Sequence, residues 1–489
     1  MVKRIREVLL VTPPYHAGVV ESAGSWLPLS LLYVGGALQR AGFGVALYDA
    51  MTKFHTLDQV RDTLRRERPD AVFVTCITAT FPDGAEVCRI AKEENPEVVT
   101  VMGNTHPTFM WKEVLNENPE VDLIVRGEGE ETSVALLEAW NSGRDLSKVR
   151  GIAYRSDVGP VATLPACFIK NLDTLEPAWN LVPWNEYTYR PKSGSTLGVV
   201  SSARGCKQHC SFCSQRLFWE ESWRAVTAER FVRQLEYLRD RYGVNVVMLA
   251  DEIPTLDRER WKRILNLLVD RQSGTTLLLE TRVDDIVRDE DLLPLYRQAG
   301  VEHIYVGVES VNQATLDVFK KDLKIEQSKR AIELINEYDM ISETSFVMGM
   351  PEETPEDMQR TIELSKHYDP DMAFFLAITP WPYADLYEKV KGHIAVTDYR
   401  RYNLVEPVIK PLAMSLEEVR AMLFLGFKEF YSHKMKQVLK MPLWKQDFMK
   451  SLMHLLMEHS YLRDQMKEIG HLHASSIPTE RPVVYTAAG

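Results

Sequence analysis

Short apolar runs rich in β-branched residues alternate with amphipathic helical patterns in two separate parts of the 489-residue chain. Neighbouring parallel strands need a long crossover, usually a helix, so this alternation predicts parallel sheets covered by helices. In the first part it predicts strands at 7–12, 45–49, 71–75, 98–102 and 122–126. The fold class is therefore α/β, and it begins with a doubly wound, Rossmann-like parallel sheet.

The second part predicts six further strands, each followed by a helical pattern, at 198–201, 245–250, 276–280, 303–307, 343–348 and 372–378. Six such units predict a partial (β/α)6 barrel with functional residues at the carboxyl ends of its strands. A small hairpin, 151–154 with 161–164, lies in the connection between the two sheets. We predict four segments: a domain at 1–145, a linker at 146–195, the barrel at 196–383 and a mostly helical region at 384–489.

Three cysteines stand four and three residues apart, at Cys206, Cys210 and Cys213. Thiolates this close along the chain converge when the backbone wraps around one soft centre, and iron–sulfur clusters are held by such thiolates. The alternatives are a structural zinc site, a disulfide or buried thiols. Structural zinc prefers paired short spacings with a fourth ligand, and the chain has no second Cys pair, although His209 lies inside the loop. The spacing therefore favours a 4Fe-4S cluster with one iron free of protein thiolate.

The pattern Cys-x-x-x-Cys-x-aromatic-Cys, in which Phe212 is the aromatic residue, resembles the signature of radical S-adenosylmethionine enzymes. The resemblance implies reductive cleavage of S-adenosylmethionine to a deoxyadenosyl radical that removes a hydrogen atom from the substrate. It also implies contacts to S-adenosylmethionine from the ends of the barrel strands. These predicted contacts are Phe212, Asp251, Glu252, Arg282, Glu309, Ser310 and Gly349.

Small and polar residues follow the strands of the first sheet, where ligands of doubly wound sheets bind. Placed before the cysteine motif, they resemble the cobalamin-binding domain of the cobalamin-dependent radical S-adenosylmethionine enzymes. The predicted cobalamin contacts are Pro14, Tyr15, Thr75, Thr78, Gly103, Asn104, His106, Gly127, Glu128 and Gly129.

One departure concerns the lower axial ligand of cobalt. Classical cobalamin domains carry Asp-x-His-x-x-Gly, whereas here Asp49 is followed by Met51 and Phe54 at the His and Gly positions. We therefore expect no imidazole from this motif on the lower cobalt face, with His55 and His106 as the alternative donors.

Further motifs are similar to those of the anaerobic magnesium-protoporphyrin IX monomethyl ester oxidative cyclases. They are Ala250-Asp-Glu-x-Pro-Thr255, Thr379-Pro-Trp-Pro382 and Tyr402-Asn-x-Val-x-Pro407, with departures at Asn104, Pro107 and Lys207. The resemblance implies closure of the isocyclic ring of bacteriochlorophyll without molecular oxygen, with a ketone oxygen from water, to give divinyl protochlorophyllide. It also implies that cobalamin serves as an electron acceptor or as an intermediate carrier. Candidates for the general base, by position, are Glu220, Tyr383 and Asp385.

Two other functions use the same motifs. A cobalamin-dependent radical methyltransferase acting on a tetrapyrrole or another hydrophobic substrate would need the same cofactors. A cobalamin-binding sensor without catalysis would not need three thiolates around an open iron, so the cysteine triad disfavours it.

Composition limits the partners and the compartment. The formal net charge of −11 disfavours nucleic acid and anionic lipid surfaces as partners. No apolar stretch is long enough for a membrane span. Six cysteines in this length suit a reducing cytoplasm. The expected partners are therefore a magnesium-porphyrin substrate and a reducing electron donor of the flavodoxin or ferredoxin type.

Overall fold

The structure of the protein is a computed structural model that describes residues 4–16 and 24–459, with side chains to residue 456. The final part of the predicted helical region, 460–489, lies outside the described residues. Within the described ranges, none of the helices combines the length and apolarity that a membrane crossing requires.

The first sheet contains seven strands in the order β2-β1-β3-β4-β5-β6-β7. Its strands are β1 (Glu7–Thr12), β2 (Gly44–Asp49), β3 (Ala71–Thr75), β4 (Val99–Gly103), β5 (Leu123–Val125), β6 (Ile152–Ser156) and β7 (Gly159–Ala162). The helices of this part are α1 (Leu29–Arg40), α2 (Leu57–Glu67), α3 (Phe81–Glu94), α4 (Thr105–Phe109), α5 (Trp111–Glu117) and α6 (Glu130–Ser142). In β1, Leu9 and Val11 pack into one apolar cluster while Val8 and Leu10 pack into another. The strand is therefore buried on both faces, as its continuous apolar sequence predicts.

The hairpin, predicted as part of the linker, belongs to the first sheet in the structure. Strand β6 pairs antiparallel with β5, and β7 pairs antiparallel with β6, so the hairpin extends the first sheet. The physical reason is that β5 exposes backbone N–H and C=O groups at the parallel edge, and the hairpin pairs with them. The sequence predicts the boundary of the first domain at residue 145, whereas this pairing joins residues 152–162 to the first sheet.

The second sheet contains six parallel strands in the order β15-β14-β13-β12-β11-β8. They are β8 (Leu197–Val200), β11 (Val246–Leu249), β12 (Thr276–Thr281), β13 (Val301–Glu309), β14 (Ile341–Met348) and β15 (Met372–Ala377). A short antiparallel pair, β9 (Ala203–Gly205) with β10 (Trp223–Ala225), brackets the cysteine loop. The helices are α7 (Gln215–Phe218), α8 (Ala228–Tyr242), α9 (Arg258–Asp270), α10 (Val283–Arg288), α11 (Leu293–Gln298), α12 (Gln313–Val318), α13 (Ile325–Glu337) and α14 (Pro355–Tyr368). The predicted fold class is confirmed.

The described part of the C-terminal region contains α15 (Asp385–Val390), α16 (Leu416–Met435) and α17 (Leu443–His459). Helix α16 packs directly against the last barrel strand. A Cβ added at Gly426 would lie 2.7 Å from the ring of Phe375, so the missing side chain is what lets helix and strand approach. This helix therefore covers the barrel flank beside β15.

Candidate active site

A cavity of about 340 Å³ lies between the two sheets and opens at the carboxyl ends of both. From the first sheet it is lined by Thr75, Gly103, Asn104, Gly127, Glu128 and Gly129. From the second part of the chain it is lined by Ser201, Ala203, Arg204, Gln215, Phe218, Trp219, Ala250 and Glu252. Its volume falls in the range of small-molecule and cofactor pockets, roughly 300–1,000 Å³. Six of the ten predicted cobalamin contacts thus border one space that is also lined by Arg204 and Gln215, which flank the cysteine loop.

The floor of the cavity lacks side chains at two glycines. A Cβ at Gly127, which has a φ of +75°, would meet nothing within 4 Å, and one at Gly103 would meet only the Val125 carbonyl oxygen at 3.5 Å. Asn104, one of the departures from the family pattern, has a φ of +82° and a ψ of −165°, a backbone region that is essentially limited to glycine and costs another residue about 1–3 kcal/mol. Its side chain donates to Thr75 Oγ1 at 2.9 Å. The backbone cradle fits a large flat ligand such as a corrin.

The other four predicted cobalamin contacts, Pro14, Tyr15, Thr78 and His106, do not line this cavity. Tyr15 donates through its hydroxyl to the Arg400 carbonyl oxygen at 2.7 Å. Thr78 Oγ1 lies 2.8 Å from the Tyr383 hydroxyl and 3.2 Å from His106 Nδ1. In this structure, contacts with the segment after the barrel occupy Tyr15, Thr78 and His106.

Neither histidine considered as a cobalt ligand reaches the cavity. His106 is buried between aromatic rings, with the Phe81 ring stacked at 4.4 Å. Burial lowers the pKa of His106 to about 4, so the imidazole is neutral near pH 7. His55 Nδ1 lies 2.7 Å from the Tyr48 hydroxyl.

The cysteine loop follows β9 and carries all three thiols. Backbone N–H groups of Gln208 and Gln215 donate to the sulfurs of Cys206 and Cys213, at 3.4 and 3.5 Å. Burial, together with the charges of Cys210 and Cys206, raises the pKa of Cys213 to about 12, so the three groups act on one another. Three mutually interacting sulfur donors with N–H···S bonds fit an iron–sulfur cluster. In the described part of the chain no set of His, Cys, Asp or Glu side chains has a ready-made metal geometry. The ligand assignment therefore rests on the motif.

Two cations lie near the middle cysteine. Burial raises the pKa of Cys210, and the charges of Lys321 and Arg282 act in the opposite direction. Lys321 Nζ is also 5.9 Å from the centre of the Phe212 ring. These positive groups offset the negative charge that a thiolate-bound cluster would bring.

We expect Gly205→Ala to lower the iron content of protein reconstituted without oxygen. Gly205 has a φ of +105°, and a Cβ would lie 2.1 Å from the backbone oxygen of Ser222. A residue other than glycine pays about 1–3 kcal/mol for a left-handed conformation. The clash with Ser222 must also shift the backbone at position 205, directly before the ligand Cys206. Gly243→Ala is the matched control, because its φ is +72° and its Cβ would meet nothing within 4 Å. Iron analysis giving equal iron in both variants would contradict this expectation.

A buried ion network joins the segment after β5 to the antiparallel pair β9–β10 beside the cavity. Arg204 Nη1 donates to Glu128 Oε1 at 2.7 Å, and Nη2 donates to Glu130 Oε1 at 2.6 Å. Arg224 Nη1 donates to Glu128 Oε2 at 3.0 Å. Only 10% of the Arg204 side chain is exposed, against 3% and 5% for the two glutamates. The Glu128 carboxylate is therefore committed to arginines, although the residue borders the cavity.

The predicted acidic contacts to S-adenosylmethionine differ in their surroundings. Glu252 lines the cavity and accepts from Gly205 N at 3.0 Å and from Trp219 Nε1 at 2.7 Å. Asp251 is fully enclosed and accepts from the backbone N–H of Ser202 at 2.6 Å and from its hydroxyl. The Asp251 carboxylate therefore holds the turn after β8 and does not line the cavity.

The remaining predicted contacts lie at the strand ends of the barrel. Arg282 Nε donates to Asp284 Oδ1 at 2.7 Å. Glu309 has a φ of +64° and accepts from Lys321 Nζ at 2.7 Å. Ser310 accepts from Asn312 N at 3.1 Å, and Gly349 N donates to Glu353 Oε2 at 2.5 Å.

The three candidate general bases do not come together. Glu220 is exposed and has a φ of +48°. Asp385 is exposed and lies 3.1 Å from Arg216 Nη2. Tyr383 is half-buried and stacks on Phe109, with ring centres 4.6 Å apart. Burial raises the pKa of Tyr383 to about 12, so its phenol stays protonated at neutral pH.

Sequence reasoning missed several charged groups in the barrel. Lys321 and Glu353 come after strands, in segments that look like ordinary loops. Glu280 is the next-to-last residue of the mostly apolar strand Thr276–Thr281. A charged residue within an apolar strand is the one local signal that could have indicated a functional group inside the barrel. The Arg204 pairing had no local signal, because its two partners lie 76 and 74 residues away along the chain.

Two domain models match the chain where the two sheets lie. The B12 binding domain matches residues 15–137, and the radical SAM superfamily matches residues 200–365. Together with the cavity and the cysteine loop, these matches define a cobalamin-binding radical S-adenosylmethionine enzyme. The predicted cofactors, a 4Fe-4S cluster, S-adenosylmethionine and cobalamin, are confirmed at this level.

Individual relatives identify the family within this class of enzymes. The anaerobic magnesium-protoporphyrin IX monomethyl ester cyclase of Rubrivivax gelatinosus is 38% identical over 87% of this chain and 78% of its own length. The chain therefore belongs to the family of anaerobic magnesium-protoporphyrin IX monomethyl ester cyclases. An uncharacterized methyltransferase of Pyrococcus horikoshii is 29% identical over 88% of this chain and 93% of its own length.

A solved structure shares the fold. It is the radical S-adenosylmethionine methyltransferase TsrM of Kitasatospora setae, with cobalamin and a 4Fe-4S cluster bound. It is 20% identical, with a TM-score of 0.65, and the match covers 86% of this chain and 81% of that chain. At this identity the likeness shows the fold alone.

Proposed function

We propose that this protein is a cobalamin-dependent radical S-adenosylmethionine cyclase that forms the isocyclic ring of bacteriochlorophyll. Its substrate would be magnesium-protoporphyrin IX 13-monomethyl ester, and its product divinyl protochlorophyllide. The observation that carries the proposal is the cavity shared by the glycine floor of the first sheet and the cysteine-loop side of the barrel. Membership of the cyclase family supports this choice of reaction.

Each cofactor has a set of residues to hold it. Cys206, Cys210 and Cys213 would bind the cluster, and Gly103, Asn104 and Gly127 would cradle the corrin. The contacts to S-adenosylmethionine would come from Phe212, Glu252, Arg282, Glu309, Ser310 and Gly349. When bound, the three cofactors supply the abstraction of a hydrogen atom from the side chain of the substrate and the removal of a further electron.

The residues of the chain orient the substrate and exclude water. Phe218 and Trp219 border the cavity, and their rings are 4.9 Å apart and nearly perpendicular. Aromatic faces suit a flat tetrapyrrole. Trp219 is held in place because its Nε1 donates to Glu252. A reducing donor of the flavodoxin or ferredoxin type and a cytoplasmic location remain our predictions, since an electron must reach the cluster and the free thiols need reducing conditions.

A methyltransferase is the second candidate function, favoured by the likeness to the Pyrococcus horikoshii relative. The two functions differ in the fate of the methyl group of S-adenosylmethionine. The test is an anaerobic incubation of reconstituted protein with magnesium-protoporphyrin monomethyl ester, reductant and methyl-labelled S-adenosylmethionine. We expect deoxyadenosine and an unlabelled, oxidised porphyrin. Label in the porphyrin would instead assign methyl transfer and contradict the cyclase.

A further inference from the structure

Glu280 stands in a row of residues that crosses the inner face of the barrel. It is opposite Tyr305 of β13, and Tyr305 is in turn opposite Glu343 of β14. On the other side, Met248 of β11 is opposite Leu278, and continuing that register by two residues brings Ala250 beside Glu280. Ala250 lines the cavity between the sheets. Since neighbouring strands lie about 4.8 Å apart, Glu280 is one strand away from the cavity wall.

The other carboxylates of this region already have partners. Glu309 accepts from Lys321 Nζ at 2.7 Å, and Glu343 has His303 Nε2 at 2.5 Å from its carboxylate. Glu252 accepts from Gly205 N and Trp219 Nε1. Among the described residues, no hydrogen-bond donor or cation is paired with the Glu280 carboxylate. Its side chain borders open space inside the barrel, so both oxygens are free to meet a ligand or water.

The charges around Glu280 favour its protonated form. Enclosure by the barrel raises the pKa of Glu280 to about 7, and the negative charges of Glu343, Glu252 and Glu309 act in the same direction. Tyr305, the remaining titratable neighbour in the row, is half-buried, and desolvation together with the negative charge of Glu309 raises its pKa well above the usual value. Glu280 therefore exchanges a proton near neutral pH, as a general acid–base group must.

We propose that Glu280 is a catalytic residue that accepts the proton released when water adds to the oxidised side chain of the porphyrin. The inference rests on the proposed cyclase function, because only that reaction takes an oxygen atom from water. The step begins after the substrate has lost a hydrogen atom and one electron to the bound cofactors. A lone pair of the water oxygen then forms the new C–O bond, and one proton moves from that oxygen to a Glu280 carboxylate oxygen. No other group leaves.

The first test compares Glu280→Gln with wild type and with Glu259→Gln, a control whose side chain is 82% exposed on α9. The glutamine keeps the shape of the side chain but cannot accept the proton. We expect Glu280→Gln to form deoxyadenosine at close to the wild-type rate while oxygenated porphyrin falls by about 100-fold or more. In wild type, product formation should fall as the pH drops through about 7, because protonated Glu280 cannot accept a proton. This limb of the pH profile should be absent from the residual activity of Glu280→Gln.

The second test needs no cofactor. Infrared difference spectra of cofactor-free wild type minus Glu280→Gln should show a protonated carboxyl band that disappears with a midpoint near pH 7. Unchanged product formation by Glu280→Gln, or loss of deoxyadenosine together with product, would overturn the proposal. Those outcomes leave the cyclase function intact as long as wild type makes the ring. Methyl label in the wild-type product would refute the cyclase and with it this inference.

Discussion

Replacing Cys206, Cys210 or Cys213 with alanine is expected to remove both the brown colour of the reconstituted protein and its turnover. Each thiolate is one of only three protein ligands that the motif provides, and a cluster that loses one of them is no longer held. Since enzymes accelerate reactions by roughly a millionfold or more, the residual rate should lie below detection. Iron and sulfide analysis, visible absorption and deoxyadenosine formation measure the result.

Cys167→Ala provides the control for this experiment. Cys167 is an exposed thiol outside the motif, and its replacement should leave iron content and turnover unchanged. An alanine variant within the triad that still bound a full cluster and turned over would refute the ligand assignment. Equal losses in Cys167→Ala and the triad variants would show a general sensitivity to cysteine replacement.

Replacing Arg204 with methionine should give the largest loss of stability among single changes near the cavity. Methionine fills the space with an unbranched, apolar side chain. It leaves Glu130 buried without its cation and Glu128 with Arg224 alone. Removing one partner of a buried ion pair typically costs about 3–5 kcal/mol, because the other charge remains uncompensated. Urea unfolding of the cofactor-free protein should show a clearly lower midpoint.

Two further variants isolate the cause. Adding Glu130→Gln to Arg204→Met removes the stranded charge and should recover part of the lost stability. Arg263→Met breaks a pair with Glu229 in which both side chains are about half exposed, and it should cost no more than about 1 kcal/mol. If Arg204→Met and Arg263→Met had equal midpoints, the ion network around Arg204 would have no special role.

The strands could be predicted because each is a short apolar run with a distinct boundary. Glu7–Thr12 and Ala71–Thr75 have the predicted limits, since both are central parallel strands that bury both faces. The cysteine loop was equally visible, because its ligands lie within eight residues of one another and the spacing alone specifies soft-metal chemistry. Local sequence is thus sufficient to predict the strands and the cysteine ligands of the cluster.

Contacts between distant segments could not be predicted in the same way. The Thr78–Tyr383 hydrogen bond joins residues 305 positions apart, and the sequence around one residue does not indicate that the other is its partner. The pairing of the hairpin with β5 likewise depends on which edge is free once the sheet has formed. Asp251 has the right type and position for ligand binding, yet its carboxylate turns to the Ser202 backbone because that turn is buried and needs an acceptor.

The most direct test of the proposed cyclase is anaerobic turnover of magnesium-protoporphyrin monomethyl ester in water labelled with oxygen-18. Product transferred into labelled water after synthesis serves as the control for exchange of the ketone oxygen. We predict a porphyrin with the new ring and one heavy oxygen, analysed by mass spectrometry before exchange occurs. A product that has gained a methyl group and no oxygen would contradict the account.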